Sequence, residues 1–201
     1  MAEYVFDKFR PKAFQICNSA ALSMYSTGRV SGLVVESGES LTYTVPVFEG
    51  YALPHAMMKL DIAGQDVTDQ LIKELELGGT KVAGYRNNIR ELKEQMCQIS
   101  QNYGFDMQQV EDPLSMEERS YELPNQDIIQ VNHRQRYKST EIIFNPGLID
   151  YPQEGIVNMA YKSIEMCDSD LRINLYNNIV LAGGSTLMPG FKERFQDEIV
   201  R

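Results

Sequence analysis

Two glycine-bearing turns are the places in this sequence where the backbone could hold a ligand. The first lies at residues 37–40 between two apolar runs, and the second begins at Gly183 and Gly184 after the apolar run 178–182. Backbone N–H groups in a tight turn converge on an anion, and glycine allows close approach because it has no Cβ. Each turn could therefore cradle a phosphate or a sugar. Neither carries the P-loop or the dinucleotide-binding glycine pattern, and a lone glycine turn is more often simply a turn.

The residues on either side of both turns predict the elements that position them. Residues 33–36 and 41–48 are rich in β-branched residues and, with the polar turn between them, predict a β-hairpin. Residues 178–182 predict a buried strand. A helix is predicted after the second turn, because Phe191, Phe195 and Ile199 are spaced by four.

Hydrophobic periodicity predicts the remaining elements. The most regular pattern lies at 87–101 and predicts an amphipathic helix. Residues 11–27 are apolar around most of a helical circumference, so the helix predicted there would need burial on several sides. We also predict a helix at 67–77 that Asp66 could cap, helices at 154–166 and 168–176, short strands at 57–62, 121–123, 128–131 and 136–138, and a polar, turn-like stretch at 102–120.

Composition limits the classes of function. The 201 residues include 19 basic and 28 acidic residues, a net charge of −9, which argues against nucleic-acid binding. Cys17, Cys97 and Cys167 are too widely spaced for a zinc site or a disulfide framework and favour a reducing compartment. Two histidines, His55 and His133, leave little material for a histidine-built metal site or a catalytic triad. Because no apolar stretch has the length of a membrane span, we expect a soluble, cytoplasmic protein without a membrane partner.

Longer segments of the sequence resemble actin and the actin-related proteins. The resemblance runs from about Phe6 to Arg201 and is carried by residues 25–71, 88–97, 119–125 and 162–191, which include VVESGESLTYT, NIRELKEQMC and NIVLAGGSTLMPG. It implies the actin and Hsp70-like α/β ATPase fold, present in part, mainly as the two subdomains of one lobe. Residues 1–26 would be a remnant of the first subdomain, 27–62 with 152–201 the third, and 63–151 the inserted fourth. One half of a nucleotide cleft would then be encoded here.

The resemblance also implies a nucleotide-binding surface. The resemblance implies that Ser37, Gly38 and Glu39 form the second phosphate turn and that Gly64 and Asp66 lie on the sugar side. It also implies nucleotide contacts from Lys93 and Glu94 on the helix at 87–101. The adenosine-side loop would contain Gly183, Gly184 and Ser185. Met188 stands where the family usually has a tyrosine. Without the resemblance, Lys93 and Glu94 would be interpreted as a solvated helix face. The implied ligand is ATP or ADP with Mg²⁺, and its binding by this chain alone is doubtful on the sequence.

The positions that serve hydrolysis in the family differ in this chain. Glu36 and Glu39 stand where the family has aspartates, so each side chain is one methylene longer. The resemblance places Glu36 near the bound metal ion, as an indirect contact. Ser19 lies at the position of the water-positioning glutamine and Tyr43 at that of the histidine. Serine lacks the reach of glutamine, and a phenol with a pKa of about 10 is a poor base at neutral pH. We therefore predict no efficient ATPase activity for this chain on its own.

Three functional hypotheses follow from the resemblance. The first is a non-catalytic or weakly nucleotide-binding structural subunit of a cytoskeletal or motor-associated assembly. The second is a genuine ATP-binding, filament-forming actin of which this is a partial chain, and the third is another member of the wider fold, such as a sugar kinase or chaperone lobe. The expected partners are other cytoskeletal proteins, including actin-like subunits or a chain that completes the cleft and covers the apolar helix at 11–27.

A cluster of cationic residues provides one further candidate contact. Residues 132–139 fall where actin has a filament-contacting loop, and they include His133, Arg134, Arg136 and Lys138. Because the second half of the chain is otherwise acidic, this loop could meet an acidic partner surface. A solvated basic turn is about as good an interpretation of the composition.

Overall fold

The computed structural model describes residues 1–82, 84–109 and 119–201. Its helices are α1 (Ala2–Phe9), α2 (Ser19–Ser26), α3 (Gly64–Leu77), α4 (Arg86–Met96), α5 (Tyr103–Gln109), α6 (His133–Glu141), α7 (Ile156–Glu165), α8 (Ser169–Asn177) and α9 (Phe191–Val200). Its strands are β1 (Gly32–Ser37), β2 (Thr42–Phe48), β3 (Tyr51–Ala52), β4 (Met58–Leu60), β5 (Arg119–Glu122), β6 (Ile128–Val131) and β7 (Ile179–Ala182). In the part of the chain that is described, no helix combines the length and the apolar character that crossing a bilayer requires.

The main sheet brings the two predicted glycine turns to one edge. Its strand order is β3-β2-β1-β7, and β4 also pairs with β2. Strand β1 is antiparallel to β2, with Glu36 opposite Tyr43, and parallel to β7, with Glu36 opposite Ala182. Parallel strands end on the same side of a sheet, so the segments after β1 and β7 meet there. Ligands of open α/β sheets bind outside these carboxyl ends.

Apolar side chains pack in three clusters, two of them on the faces of this sheet. One face of β1 and β2 packs with α7, α8 and α9, through residues that include Leu33, Val35, Ile164 and Phe191. The other face carries Val34, Val45 and Val47 and is covered by Ala20 and Met24 of α2. The third cluster joins α3, α4 and the β5–β6 hairpin and includes Leu71, Leu75, Ile89, Leu92 and Ile129.

The helix predicted at 11–27 is wrong over its first half. Only α2 forms there, because the side chain of Asn18 accepts a hydrogen bond from the N–H of Ala20 at 2.9 Å and so starts the helix at Ser19. The helix buries Ala20, Ala21 and Met24 on one side, whereas Leu22 and Tyr25 stay exposed. A second helix, α1, lies further upstream, where we predicted none.

The strand predicted at 136–138 and the basic loop at 132–139 are also wrong, because these residues form α6. The side chain of Asn132 accepts from the N–H of Gln135 at 2.9 Å, and the side chain of Gln135 accepts from the N–H of Asn132 at 3.0 Å. This reciprocal capping box starts the helix. Arg136 is fully buried and Lys138 forms an ion pair with Glu74 at 2.7 Å, so the four cationic residues do not form one exposed patch.

The stretch at 102–120, predicted to be turn-like, contains the helix α5. Residues 110–118 of this stretch lie outside the described residues. The other predicted helices and strands are confirmed within a few residues at their ends. The helix at 87–101 is the main exception, since α4 stops at Met96.

Candidate functional site

The segments after β1 and β7 are in direct contact through Gly183. This residue has φ +89°, and a Cβ built on it would overlap the carbonyl oxygen of Ser37. Only glycine adopts this conformation without strain and permits such close approach. The hydroxyl of Ser37 points away, into the hairpin, and lies 2.8 Å from the hydroxyl of Thr42. Gly183 and Ser37 are therefore structural supports of the site.

The first turn of α3 closes onto the same edge. The carbonyl oxygen of Gly38 accepts hydrogen bonds from the N–H of Gly64 at 3.0 Å and from the hydroxyl of Ser185 at 2.8 Å. The carbonyl oxygen of Glu39 accepts from the N–H of Gln65 at 2.7 Å. Hydrogen bonds within the protein thus join the two turns and α3.

Asp66 has a capping role in this arrangement. Its carboxylate accepts from the N–H of Ala63 at 2.8 Å, at the start of α3. The resemblance to actin implied that Gly64 and Asp66 lie on the sugar side, and this stays a prediction. In the structure, Gly64 packs against the two turns, and a Cβ there would lie 2.9 Å from the hydroxyl oxygen of Ser185.

Lys93 brings α4 to the site. Its side chain is 4% exposed, and Nζ donates to the carbonyl oxygen of Gly64 at 2.8 Å. Burial lowers the pKa of this amine, and the nearby carboxylates of Glu39 and Glu94 oppose the effect. The lysine is therefore a fixed part of the site rather than a solvated side chain.

These groups surround a cavity of about 480 Å³, which we call the cleft. Its lining is Gly38, Glu39, Lys93, Glu94, Gly184, Ser185, Leu187 and Met188. Six of the ten residues that the sequence predicted as ligand contacts line it. Leu187 was not predicted, and its only signal was its position between the glycine turn and Met188.

The residues matched to the hydrolytic positions form a separate group, which we call the Ser19 cluster. The hydroxyls of Ser19 and Tyr43 are 3.0 Å apart, and Ser19 lies 3.4 Å from the carboxylate of Glu36. Burial raises the pKa of Tyr43; the hydrogen bond with Ser19 lowers it, and the Glu36 carboxylate adds to the rise. Among the described residues that line the cleft, none belongs to this cluster.

The cleft fits the uncharged part of a nucleotide better than it fits a complete metal site. Gly184 faces open space, so a ring could lie against its backbone, while Leu187 and Met188 offer apolar surface and Glu39 and Glu94 offer acceptors. Within the ranges that the structure describes, no group of three or more His, Cys, Asp or Glu residues is arranged to hold a metal ion. The role of Glu36 as an indirect contact of the metal ion stays a prediction.

A mixed α/β fold with a cleft at the carboxyl ends of two parallel strands is typical of nucleotide-binding proteins. The family model described as Actin matches residues 1–85 and 80–201. The chain is 34% identical over 203 residues to actin-29 of Dictyostelium discoideum and 37% identical over 208 residues to Actin-related protein 2 of Acanthamoeba castellanii. This chain belongs to the actin family and has part of the actin-like ATPase fold. All of it is matched, and it spans 52% of each of these relatives.

Proposed function

We propose that this chain supplies one side of the adenine-nucleotide cleft of an actin-like cytoskeletal protein. In this proposal it acts as a structural subunit of a cytoskeletal or motor-associated assembly, either non-catalytic or weakly nucleotide-binding. Residues 27–62 and 152–201 would form one unit of the lobe and residues 63–151 a unit inserted into it, with 1–26 left from a further unit.

The observation that carries this proposal is the convergence of three separate segments on the cleft. Gly38 and Glu39 follow β1, Lys93 and Glu94 come from α4, and Gly184 to Met188 follow β7. These are the segments that the resemblance to actin implied as the phosphate turn, the nucleotide-contacting helix and the adenosine-side loop. Hydrogen bonds already join the segments, so a ligand would meet a preformed surface.

The geometry of the Ser19 cluster supports slow or absent ATP hydrolysis by this chain. A bound Mg²⁺–nucleotide would supply the phosphoanhydride bond and the metal's polarisation of its oxygens. A water must then be positioned and must lose a proton. The hydroxyls of Ser19 and Tyr43 are hydrogen-bonded to each other, and the raised pKa of Tyr43 keeps its phenol protonated at neutral pH. Neither group is suited to remove a proton from water.

A single-turnover assay tests the catalytic part of the proposal. The purified chain, in excess over labelled ATP with Mg²⁺, is expected to release phosphate without a burst. The same preparation of Lys93→Met, which removes the buried amine from the cleft, reports any contaminating ATPase. A burst approaching one equivalent in the unmodified chain and missing from the variant would contradict the non-catalytic proposal.

The cleft also favours the second hypothesis, a genuine ATP-binding, filament-forming actin of which this is a partial chain. Its side of the cleft is assembled, and the relatives are about twice as long. Denaturing the native complex and identifying the released nucleotide separates the two. One nucleotide per complex, together with sedimentation as filaments, would favour the second hypothesis, whereas little nucleotide and no filaments would favour the structural subunit.

Exposed apolar side chains support the proposed protein partner. All eight residues of α1 remain at least partly exposed, and Tyr4, Phe9 and Ile16 are exposed by 59, 66 and 72%. The rings of Tyr4 and Phe9 lie 6.3 Å apart and those of Phe6 and Phe14 6.4 Å apart. Exposed apolar groups that gather in this way mark interaction sites. We infer that a second polypeptide segment, such as an actin-like subunit or a chain that completes the cleft, covers this region.

A further inference from the structure

A set of hydrogen bonds, which we call the α9 contact, holds segment 97–102 against the start of α9. The N–H of Ile99 donates to the carbonyl oxygen of Pro189 at 2.8 Å, and the side-chain amide of Gln101 donates to that of Gly190 at 2.8 Å. The segment continues from α4, and α9 follows the loop after β7. The α9 contact therefore joins the elements on two sides of the cleft.

The guanidinium of Arg194 completes the α9 contact. It donates to the carbonyl oxygen of Ser100 at 2.5 Å and to the two carboxylate oxygens of Glu141 at 3.1 and 3.5 Å. It also donates to the carboxylate of Glu198, one turn further along α9. The side chains of Arg194 and Glu141 are only 12 and 3% exposed, so solvent screens their charges weakly.

This buried cluster contains more negative than positive charge. The carboxylate of Asp106 on α5 accepts from the hydroxyl of Ser100 at 2.5 Å, and its charge acts on Glu141. If every carboxyl were ionised, those of Asp106, Glu141 and Glu198 would share the guanidinium of Arg194. Binding of one proton reduces the excess negative charge and leaves the bond from Arg194 to Ser100 in place.

Further ionisable groups of α3 and α6 lie in this region and act on other partners. Lys138 pairs with Glu74 of α3 at 2.7 Å. The charge of Arg136 acts on the thiol of Cys97, and that of Arg134 acts on a tyrosine of α5. Among the described residues, the guanidinium on α9 is the cation whose charge acts most on the buried carboxyl of α6.

The two states of the α9 contact differ in their affinity for a proton. Burial raises the pKa of the Glu141 carboxyl to about 7; Arg194 opposes the rise, and Glu198 and Asp106 add to it. In an open state that exposes this carboxyl to water, its pKa would return towards the ordinary value of 4.5. Tyr103, whose pKa is raised by burial, stays neutral over this range. The proton therefore favours the closed state, and this contribution is lost as the pH rises to about 7.

We propose that Glu141 is a proton switch, which keeps the α9 contact closed when protonated and lets segment 97–102 separate from α9 more readily when ionised. The two sides of the cleft are then held together less firmly. The switch belongs to the fold itself and operates with or without a nucleotide, so it goes beyond the proposed function.

Amide hydrogen exchange of the 201-residue chain, followed by NMR between pH 6 and pH 8, tests the switch. Protection factors correct for the intrinsic pH dependence of exchange. That of the Ile99 amide should fall by about tenfold over this range, because the closed state loses its proton. The amides of the inner strand β1 should be more strongly protected, as local opening requires. Equal protection of Ile99 and β1, or a pH-independent protection of Ile99, would overturn the proposal.

The Glu141→Gln variant removes the titrating group and keeps an uncharged side chain of the same size. Protection of Ile99 in this variant should change by less than about twofold between pH 6 and pH 8. Glu193→Gln, at an exposed position on α9, is the matched control and should keep the full change. A fall in Glu141→Gln as large as that in the control would show that another group causes it and would overturn the switch.

The Glu198→Gln variant tests whether excess negative charge sets the pH of the switch. It removes a carboxylate that acts on Glu141, so the midpoint of the protection profile should move to lower pH. An unchanged midpoint would contradict this cause. Circular dichroism checks folding, and the profiles of the unmodified chain and Glu198→Gln decide the matter even if Glu141→Gln does not fold. Because no nucleotide enters these measurements, failure of the switch leaves the proposed function standing.

Discussion

At the scale of single residues, the cleft depends on one carbonyl oxygen. The oxygen of Gly38 accepts from the N–H of Gly64 and from the hydroxyl of Ser185, so both of its lone pairs are used. These bonds join segments that are 26 and 147 residues apart in the sequence. They can form only because Gly183 lets the segment after β7 approach Ser37. The geometry of the site therefore depends on a glycine outside its lining.

Replacing that glycine should destabilise the protein. In Gly183→Ala, the new Cβ would overlap the backbone of Ser37, and φ is +89°. We expect the free energy of unfolding to fall by about 2 kcal/mol or more, since a backbone conformation that essentially only glycine adopts costs another residue about 1–3 kcal/mol. Urea denaturation measures this. Gly184→Ala is the matched control, because its Cβ would meet nothing within 4 Å. Equal stability of the two variants would contradict the argument.

Cys97 should make stability depend on alkaline pH. Burial raises the pKa of its thiol from 9.0 to about 11, and Ser139 opposes this only in part. Between these values the folded state holds a proton that the unfolded state loses, so stability decreases as pH rises above about 9. The expected slope from this group is about 1.4 kcal/mol per pH unit.

The Cys97→Ala variant isolates this effect from other ionisations. The difference in unfolding free energy between the chain and this variant should shrink steadily from about pH 9 to pH 11. Cys17→Ala, at an exposed position, serves as the control and should leave the pH profile unchanged. Parallel profiles for the chain and Cys97→Ala would show that the thiol does not ionise on unfolding.

At the scale of elements, local capping decides which sequence patterns form helices. The β1–β2 hairpin and α4 were predicted because strand composition and helical periodicity agree with their burial. The strand β7 was predicted in place, but as a buried strand, whereas its four residues are only half-buried. Apolar content alone predicted a helix over 11–27, whereas the Asn18 cap sets the start of α2 at Ser19. The capping box of Asn132 and Gln135 likewise makes α6 a helix, despite a polar sequence that suggested a strand and a loop.

The cleft also contains features that the local sequence pattern could not predict. Its glycine turns and the capping role of Asp66 were visible in the sequence, but the hydrogen bond from Lys93 to the carbonyl oxygen of Gly64 depends on how α3 and α4 pack. Tertiary contacts of this kind leave no local periodicity. Leu187 lines the cleft for the same reason and had no chemical signal of its own.

The Asn132 cap should have a measurable effect on stability. In Asn132→Ala, the N–H of Gln135 loses its acceptor at the start of α6, and the expected loss is about 1 kcal/mol of unfolding free energy. Thermal and urea denaturation both report it. Asn87→Ala, at an exposed position near the start of α4, should stay within about 0.5 kcal/mol of the unmodified chain. If Asn132→Ala also stayed within about 0.5 kcal/mol of the unmodified chain, the assigned cap would be contradicted.

At the scale of the whole molecule, Arg194 joins three distant segments. From α9 its guanidinium donates to the carbonyl oxygen of Ser100 at 2.5 Å and to the carboxylate of Glu141 at 3.1 Å. It also lies over the ring of Phe144, 5.2 Å from the centroid. Glu141 belongs to α6, which packs on α3, so this residue connects α9 with the elements that position Lys93. Packing at Arg194 should therefore affect the stability of the molecule as a unit.

We expect Arg194→Met to be among the most destabilising surface-proximal changes. The Glu141 side chain is 3% exposed, and burial already raises its pKa to about 7 although Arg194 opposes this. Removal of the cation therefore leaves a buried group that is either an unpaired carboxylate or takes up a proton, and the expected cost is at most about 3–5 kcal/mol at neutral pH. Lys192→Met, at an exposed position on the same helix, is the control, with an expected change within about 0.5 kcal/mol. Adding Glu141→Gln to Arg194→Met should restore part of the loss, because a neutral amide tolerates burial better than an unpaired carboxylate. Strictly additive effects in this double-mutant cycle would show that the two side chains are not energetically coupled.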